Sequence, residues 1–266
     1  MKDNLDIEVL EQRDYKIIKA NELIQKARNC LSLMQLKTLA YILSKVKPND
    51  KKGQTYTFRI KEFCDVCGIK EDSGKNYANV KAALKGLRDK SFWIIDDDGK
   101  YVLVAWIEKP KIDPRSKKIE VRLDEDVQKY LIGWLERYTQ YSLFEVIPMQ
   151  SRYSFVLFEL LKSYSNLGAY TFEIDDLKMK IDATKYVNFK DFRKNVLEIA
   201  TKEINEHTDL RISWEPETKG RKVIKIKFQI IEKTESEKFK QKSKEPEEQQ
   251  NIFDYIQYDD RALTIS

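Results

Sequence analysis

The amino-acid sequence predicts an α+β chain of two tandem winged helix-turn-helix domains related by internal duplication. Three observations lead there. Tyr56-Thr57-Phe58-Arg59-Ile60 recurs as Tyr170-Thr171-Phe172-Glu173-Ile174, an offset of 114 residues. At that offset Leu39, Ile42, Leu43 and Val46 answer to Tyr153, Val156, Leu157 and Leu160, and Phe63 and Cys67 to Leu177 and Ile181. The offset then slips to 117, as a three-residue loop insertion would make it, and Val80, Ala83, Leu87, Trp93 and Ile95 match Leu197, Ala200, Ile204, Leu210 and Ile212. A repeat this long is a domain rather than a solenoid module, whose period is roughly 20–50 residues.

In the first unit, Ser32 and Gln35 have capping-box spacing, which predicts a helix from there to about Val46 with Leu36, Leu39, Ile42, Leu43 and Val46 inward. Alternation of Tyr56, Phe58 and Ile60 predicts a strand, and a short helix covers Lys61–Val66. After a turn from Gly68 to Gly74 comes a second helix, Lys75–Asp89, with Val80, Ala83, Leu84 and Leu87 inward. A hairpin follows: Phe92–Ile95, the turn Asp96-Asp97-Asp98-Gly99, then Tyr101–Ile107. The second unit repeats the order with a helix at Ser151–Tyr164, a strand at Tyr170–Ile174, a short helix at Asp175–Lys180 and a long helix at Phe189–His207. Its hairpin pairs Leu210–Trp214 with Val223–Ile230 across Glu215–Gly220, the candidate wing.

A length of 266 residues suits about two domains of roughly 100–150 residues, each with its own core. We place the first at 1–142, the second at 143–232, and a charged tail at 233–266. That tail is rich in Lys and Glu and poor in apolar residues, apart from Ile252, Phe253, Tyr255 and Ile256. Three cysteines, Cys30, Cys64 and Cys67, make no even disulfide framework and suit a reducing compartment, so a cytoplasmic location is expected. No stretch approaches the roughly 18 apolar residues of a membrane span, so no membrane partner is expected. Net charge is +5, a mild bias whose distribution decides its meaning.

On a helical wheel, Phe189, Phe192, Val196, Ala200 and Glu203 share the inward side of the long helix, with Ile199 and Ile204 beside them. Lys190, Asp191, Lys194, Asn195, Glu198, Thr201 and Lys202 lie opposite, with Arg193 at the boundary. Cations and an amide therefore cluster in the first two turns, the part of a recognition helix that reaches base edges. Arg211, Lys219, Arg221, Lys222, Lys225 and Lys227 concentrate on the hairpin that follows. A basic helix beside a basic hairpin makes a two-part footprint for double-stranded DNA. In the first unit the outward positions include Ala78, Ala82 and Gly86, and three aspartates occupy the hairpin turn. Its expected DNA residues are Lys75, Asn76, Lys81, Lys85 and Arg88, with the second unit doing most of the reading.

Ile147-Pro148-Met149-Gln150-Ser151-Arg152-Tyr153-Ser154, then Leu157-Phe158-Glu159-Leu160-Leu161-Lys162-Ser163-Tyr164, resembles the opening of the second winged helix in iteron-binding plasmid replication initiators. So does Phe192-Arg193-Lys194-Asn195-Val196-Leu197, continuing to Ala200, Glu203-Ile204-Asn205 and Asp209. The resemblance covers about 21–231. It implies a protein that binds directly repeated iterons at a plasmid origin, opens adjacent AT-rich DNA and helps recruit host factors, a host initiator and a replicative helicase among them. It also implies dimerisation through the first winged helix and repression of its own gene at an operator.

Two other readings compete. One is a winged-helix transcriptional repressor without a replication role. The other is a rolling-circle nickase using Tyr138 or Tyr141, which the presence of a single histidine, His207, disfavours, because such enzymes bind their metal through a histidine pair. Gly68–Asn76 imitates a phosphate-binding loop but has five residues between its glycines and Asn76 where a hydroxyl should hold Mg²⁺. Cys64 and Cys67 read as core residues rather than zinc ligands, and His207 as a helix-end residue facing the C-terminal dipole. No catalytic residue, metal site or cofactor is expected.

Overall fold

The computed structural model describes residues 16–26, 30–47, 50–67, 73–95, 98–128, 130–131 and 137–237. The turn expected at 68–72, Asp96 and Asp97, and the tail beyond 237 lie outside the described residues.

The chain opens with β1 (Lys16–Ala20) and α1 (Asn21–Lys26), followed by α2 (Leu33–Leu43). Ser32 caps α2 as expected: its hydroxyl accepts from Gln35 N at 3.3 Å, and Gln35 Oε1 accepts from Ser32 N at 2.9 Å. The helix stops three residues short of Val46, because Lys45 N and Val46 N turn to the carbonyls of Ile42 and Leu43, tightening the last turn. β2 (Thr55–Arg59), α3 (Ile60–Val66) and α4 (Ser73–Asp89) follow. Gly86 lets α4 lie close on α2, since a Cβ there would collide with the Gln35 amide. Then come the strands β3 (Phe92–Ile95), β4 (Tyr101–Val104), β5 (Ile107–Ile112) and β6 (Lys118–Leu123), the turn of helix α5 (Glu125–Gln128), and β7 (Tyr138–Ser142), which pairs antiparallel with β1.

The second unit runs through α6 (Leu143–Val146), α7 (Arg152–Lys162), β8 (Ala169–Glu173) and α8 (Ile174–Lys180). A long helix follows in three parts: α9 (Phe189–Phe192), a π-helical turn (Arg193–Leu197) and α10 (Glu198–His207). β9 (Leu210–Lys219) and β10 (Lys222–Glu232) close the unit.

The duplication holds in the strands with the same register. In the order β2-β6-β5, Phe58 lies opposite Ile119 and Tyr56 opposite Val121. In the order β8-β10-β9, Phe172 lies opposite Ile226 and Tyr170 opposite Phe228. This corrects the assignment of the first wing. The counterpart of β9–β10 is β5–β6, whereas β3–β4 is a separate two-stranded insertion, so the hairpin expected as the first wing is not the wing.

The helix equivalences also move. Ser32 and Ser151 cap α2 and α7, and Ser44 and Ser163 end them, an offset of 119 rather than 114. Leu39 then corresponds to Phe158 and Ile42 to Leu161, all buried. Both helices are buried nearly all round, so apolar residues match at more than one register, and the longer link from α2 to β2 absorbs the difference.

The β9–β10 hairpin extends further than the expected Glu215–Gly220 loop. Glu215 pairs with Lys227, Pro216 with Ile226, Glu217 with Lys225 and Lys219 with Lys222, leaving Gly220 and Arg221 as the turn. Opposite charges across the strands favour this pairing, Pro216 is tolerated because β9 is an edge strand, and Gly220 supplies the positive φ of 63°.

Between the units lies α7, which packs on α10 and also on α1 and α2. Its Glu159 is buried and accepts from Lys19 Nζ of β1 at 2.5 Å and from the Tyr141 hydroxyl of β7. Arg152, at the start of α7, donates from Nε to Leu31 O at 2.9 Å and from Nη1 to Ile181 O at 3.0 Å. Gln25 Nε2 of α1 reaches Ser163 Oγ at 3.1 Å, at the other end of α7.

Glu159→Ala leaves the buried Lys19 ammonium without its carboxylate, and we expect a loss of about 3–5 kcal/mol in urea unfolding. The double variant Lys19→Met with Glu159→Leu should recover most of that loss, because neither charge remains to be desolvated. A single variant as stable as the parent would remove the pair from the account of the fold.

Candidate nucleic-acid interface

The helix-turn-helix of the second unit is α8, the loop 181–188 and the long helix. Asn188 caps that helix through Oδ1, which accepts from Asp191 N at 2.8 Å. The π-helical turn, where Glu198 N bonds to Arg193 O, inserts one residue into the helical repeat. Inward positions therefore run Phe192, Val196, Leu197, Ala200 and Ile204. Ile199, expected beside the core, is instead 41% exposed, because the extra residue rotates it outward. Glu203 remains on the inner side for a reason the wheel did not show: its carboxylate accepts from Gln150 N at 3.0 Å and Ser151 N at 3.2 Å, at the start of α7.

The outer face carries Lys190, Arg193, Lys194, Asn195 and Lys202, all solvent-accessible as expected. Two of them are already oriented. Arg193 Nε lies 3.2 Å from Glu198 Oε1, and Asn195 Nδ2 donates to Asp191 O at 2.9 Å.

The wing divides into a cationic tip and a balanced sheet. Lys219, Arg221 and Lys222 sit exposed around the turn. Lys225 does not join them: it lies 3.1 Å from Glu173 on β8 and opposite Glu217 on β9, and the Glu173 hydrogen bond and charge raise its pKa. Lys227 lies between Glu215 and Thr171. Arg211 is at the far end of β9 from the tip, paired with Glu237 at 2.9 Å. Lys225 and Arg211, expected among the DNA-binding residues of this hairpin, thus stand apart from its tip: pairing register places acidic partners beside Lys225, and Arg211 lies at the other end of the strand.

In the first unit Lys75, Lys81, Lys85 and Arg88 lie on α4, all four exposed, and Lys85 pairs with Asp89. Asn76 is corrected: it is buried at 7% exposure, because it lies one helical turn before Val80 on the inner side. The recognised wing, β5–β6, carries Lys111, Arg115, Lys117 and Lys118, all exposed, and the Lys117 ammonium lies 4.5 Å from the Tyr77 ring centroid of α4. The first unit therefore has a basic hairpin against its long helix, contrary to the expectation of an acidic one.

Two family models fit the chain in this order. Residues 16–162 match the Initiator Replication protein model for WH1, and residues 173–230 match the Initiator Rep protein model for WH2. The chain belongs to the initiator replication protein family. The PI protein of Escherichia coli is 26% identical over 148 residues, covering 48% of each chain, so the match spans about half the length of that curated relative. The crystal structure of Pi initiator protein in complex with iteron DNA aligns with a TM-score of 0.69 at 20% identity, over 84% of this chain and 99% of that one. The likeness is one of fold: two winged helices in tandem.

The initiator's remaining sequence candidates take structural places. Tyr141 is buried, and its hydroxyl is committed to Glu159, so it cannot attack a strand; Tyr138 is 49% exposed on β7. Cys64 and Cys67 are both buried, and Cys67 caps α3 as Ile181 caps α8. Among the described residues no group of three or more His, Cys, Asp and Glu is placed to hold a metal ion, and no helix is long and apolar enough to cross a membrane. Burial holds the pKa of the His207 imidazole below its ordinary value, which opposes the cationic form that a helix C-terminus favours.

The missed residues had one readable signal. Lys118-Ile119-Glu120-Val121 alternates just as Lys225-Ile226-Lys227-Phe228 does, 107 residues later, and both strands pair with the Tyr-Thr-Phe copies. Lys185, exposed in the helix-turn-helix loop with its ammonium 5.1 Å from the Tyr186 ring centroid, gave no such signal.

Replacing Lys219, Arg221 and Lys222 by alanine should change the urea midpoint little, within about 0.5 kcal/mol per site, since exposed side chains of this kind contribute little to the fold. The same variant should elute earlier in a salt gradient on a heparin column. Unchanged elution would mean that the tip does not govern the electrostatic surface.

Proposed function

We propose that this initiator binds directly repeated origin sequences, iterons, on a plasmid, and acts by binding and distorting DNA rather than by making or breaking bonds. Acting in the cytoplasm, it opens adjacent AT-rich DNA and helps recruit the host replication machinery. The observation that carries this reading is the pairing of an exposed cationic recognition helix with a cationic wing tip in a chain that matches both initiator domain models. The complex of the Pi initiator with iteron DNA supports the choice of ligand.

Within this reading the wing tips hold phosphates, and Lys190, Arg193, Lys194 and Asn195 enter the major groove. Glu198 is well placed to keep Arg193 extended until a guanine or phosphate replaces it. We keep the division after residue 142, supported by the β1–β7 pairing that closes the first unit and by the packing of α7 on α10. The first unit adds backbone contacts through α4 and β5–β6. It also carries self-association, which allows the dimer to repress its own gene at an operator.

The test is a selection of duplexes from a random pool, followed by footprinting and a replication assay. Two winged helices addressing successive grooves should protect about 20 bp, two turns of 10–10.5 bp each. A footprint of about 10 bp would contradict tandem engagement. A plasmid with the cognate origin should fail to replicate when the gene is deleted and recover when the protein is supplied in trans; replication without the protein would end the initiator reading.

Arg193→Ala and Lys194→Ala should weaken specific binding more than Lys85→Ala, by about 1–3 kcal/mol for a residue that reads a base. Equal losses at all three would dissolve the division of labour between the units. Removing one phosphate-binding cation from the wing tip should lower the slope of log affinity against log salt by about 1.

A further inference from the structure

Val187 is 89% exposed, the largest exposure of any large apolar side chain among the described residues. It immediately precedes the cap Asn188 of the long helix. An apolar residue at that position ordinarily packs on the fourth residue of the helix, here Phe192, and so fixes the entry of the chain. At 89% exposure Val187 buries almost none of its side chain in this way. Phe192 is fully buried, and the Lys178 ammonium lies 5.2 Å from its ring centroid. The same ammonium donates to the Val187 carbonyl oxygen at 3.3 Å, so the backbone at 187 is held while its side chain points into solvent. Of the other apolar residues in the loop, Ile181 and Ala183 are buried and Tyr186 packs against the core.

A β-branched side chain has few rotamers, so an anchored backbone also fixes where its two methyl groups stand. They stand at the amino end of the recognition helix, the end that reaches base edges, in the turn that leads to Lys190, Arg193 and Lys194. In the major groove only thymine presents a methyl group, and an apolar side chain reads it by contact. We propose that Val187 packs against the 5-methyl group of one thymine and so fixes one T·A position in the sequence this initiator selects. The assignment rests on the DNA reading above.

The experiment uses the full chain and a duplex recovered from the random pool. Each thymine is replaced in turn by deoxyuridine, which removes only the methyl group. The parent should lose about fourfold in affinity at one thymine on this account, the factor that burying one methyl group carries. Val187→Ala should bind the unmodified duplex about fourfold more weakly and show no further loss at that thymine, while keeping any other uracil sensitivities. Equal uracil sensitivity of parent and variant at every thymine overturns the contact, as does a variant weakened equally on specific and random duplexes. Failure of the protein to enrich any duplex overturns the DNA reading itself and the assignment with it.

Discussion

The buried contact of Glu159 with Lys19 and Tyr141 is the constraint on which the two-unit architecture depends. An isolated carboxylate or ammonium at that depth would be severely desolvated, so each charge is tolerable only while the other is in place. Their partnership fixes the face that α7 turns toward β1 and β7. With that face set, another side of α7 is open to α10, and Glu203 of α10 returns to cap the start of α7. One helix therefore joins the two units, whose buried side chains form one continuous cluster. The recognition helix is held by the same element that closes the first unit, and Arg152 adds bonds from α7 to both Leu31 and Ile181.

Much of this was legible in the sequence, and the parts that were not have physical causes. The Tyr-Thr-Phe repeat identified paired strands because a half-buried strand writes its burial into alternate residues. The capping box at Ser32 and Gln35 was readable because it is local. Strand order was not, since pairing is a long-range choice: β3–β4 follows α4 as β9 follows α10, yet it pairs only with itself. The true wing lay one hairpin further on. The burial of Asn76 turns on a single helical position, and the acidic partner of Lys225, Glu173, is contributed by β8, which the hairpin's own sequence does not show.

The recognition helix shows why a wheel drawn at a constant angle loses information. One inserted residue in the π-helical turn leaves Phe192 and Val196 inward, brings Leu197 in with them and turns Ile199 out. The same turn contains Arg193, Lys194 and Asn195, so the irregular backbone coincides with the residues assigned to base reading. Regular packing on one side and an adjusted presentation of cations on the other are two results of a single insertion.

Glu159 also sets an order of assembly. Its partner Lys19 lies 140 residues earlier in the chain, so during synthesis the amino-terminal strand is made long before the carboxylate that neutralises it. At about 5–20 residues per second, that interval is on the order of ten seconds, even before the exit tunnel is allowed for. Through most of that time β1 also waits for its strand partner β7, which lies more than a hundred residues downstream. The first unit is thus finished by residues that initiate the second, and a ribosome releasing only the first half would present a sheet edge and a lone ammonium to the cell.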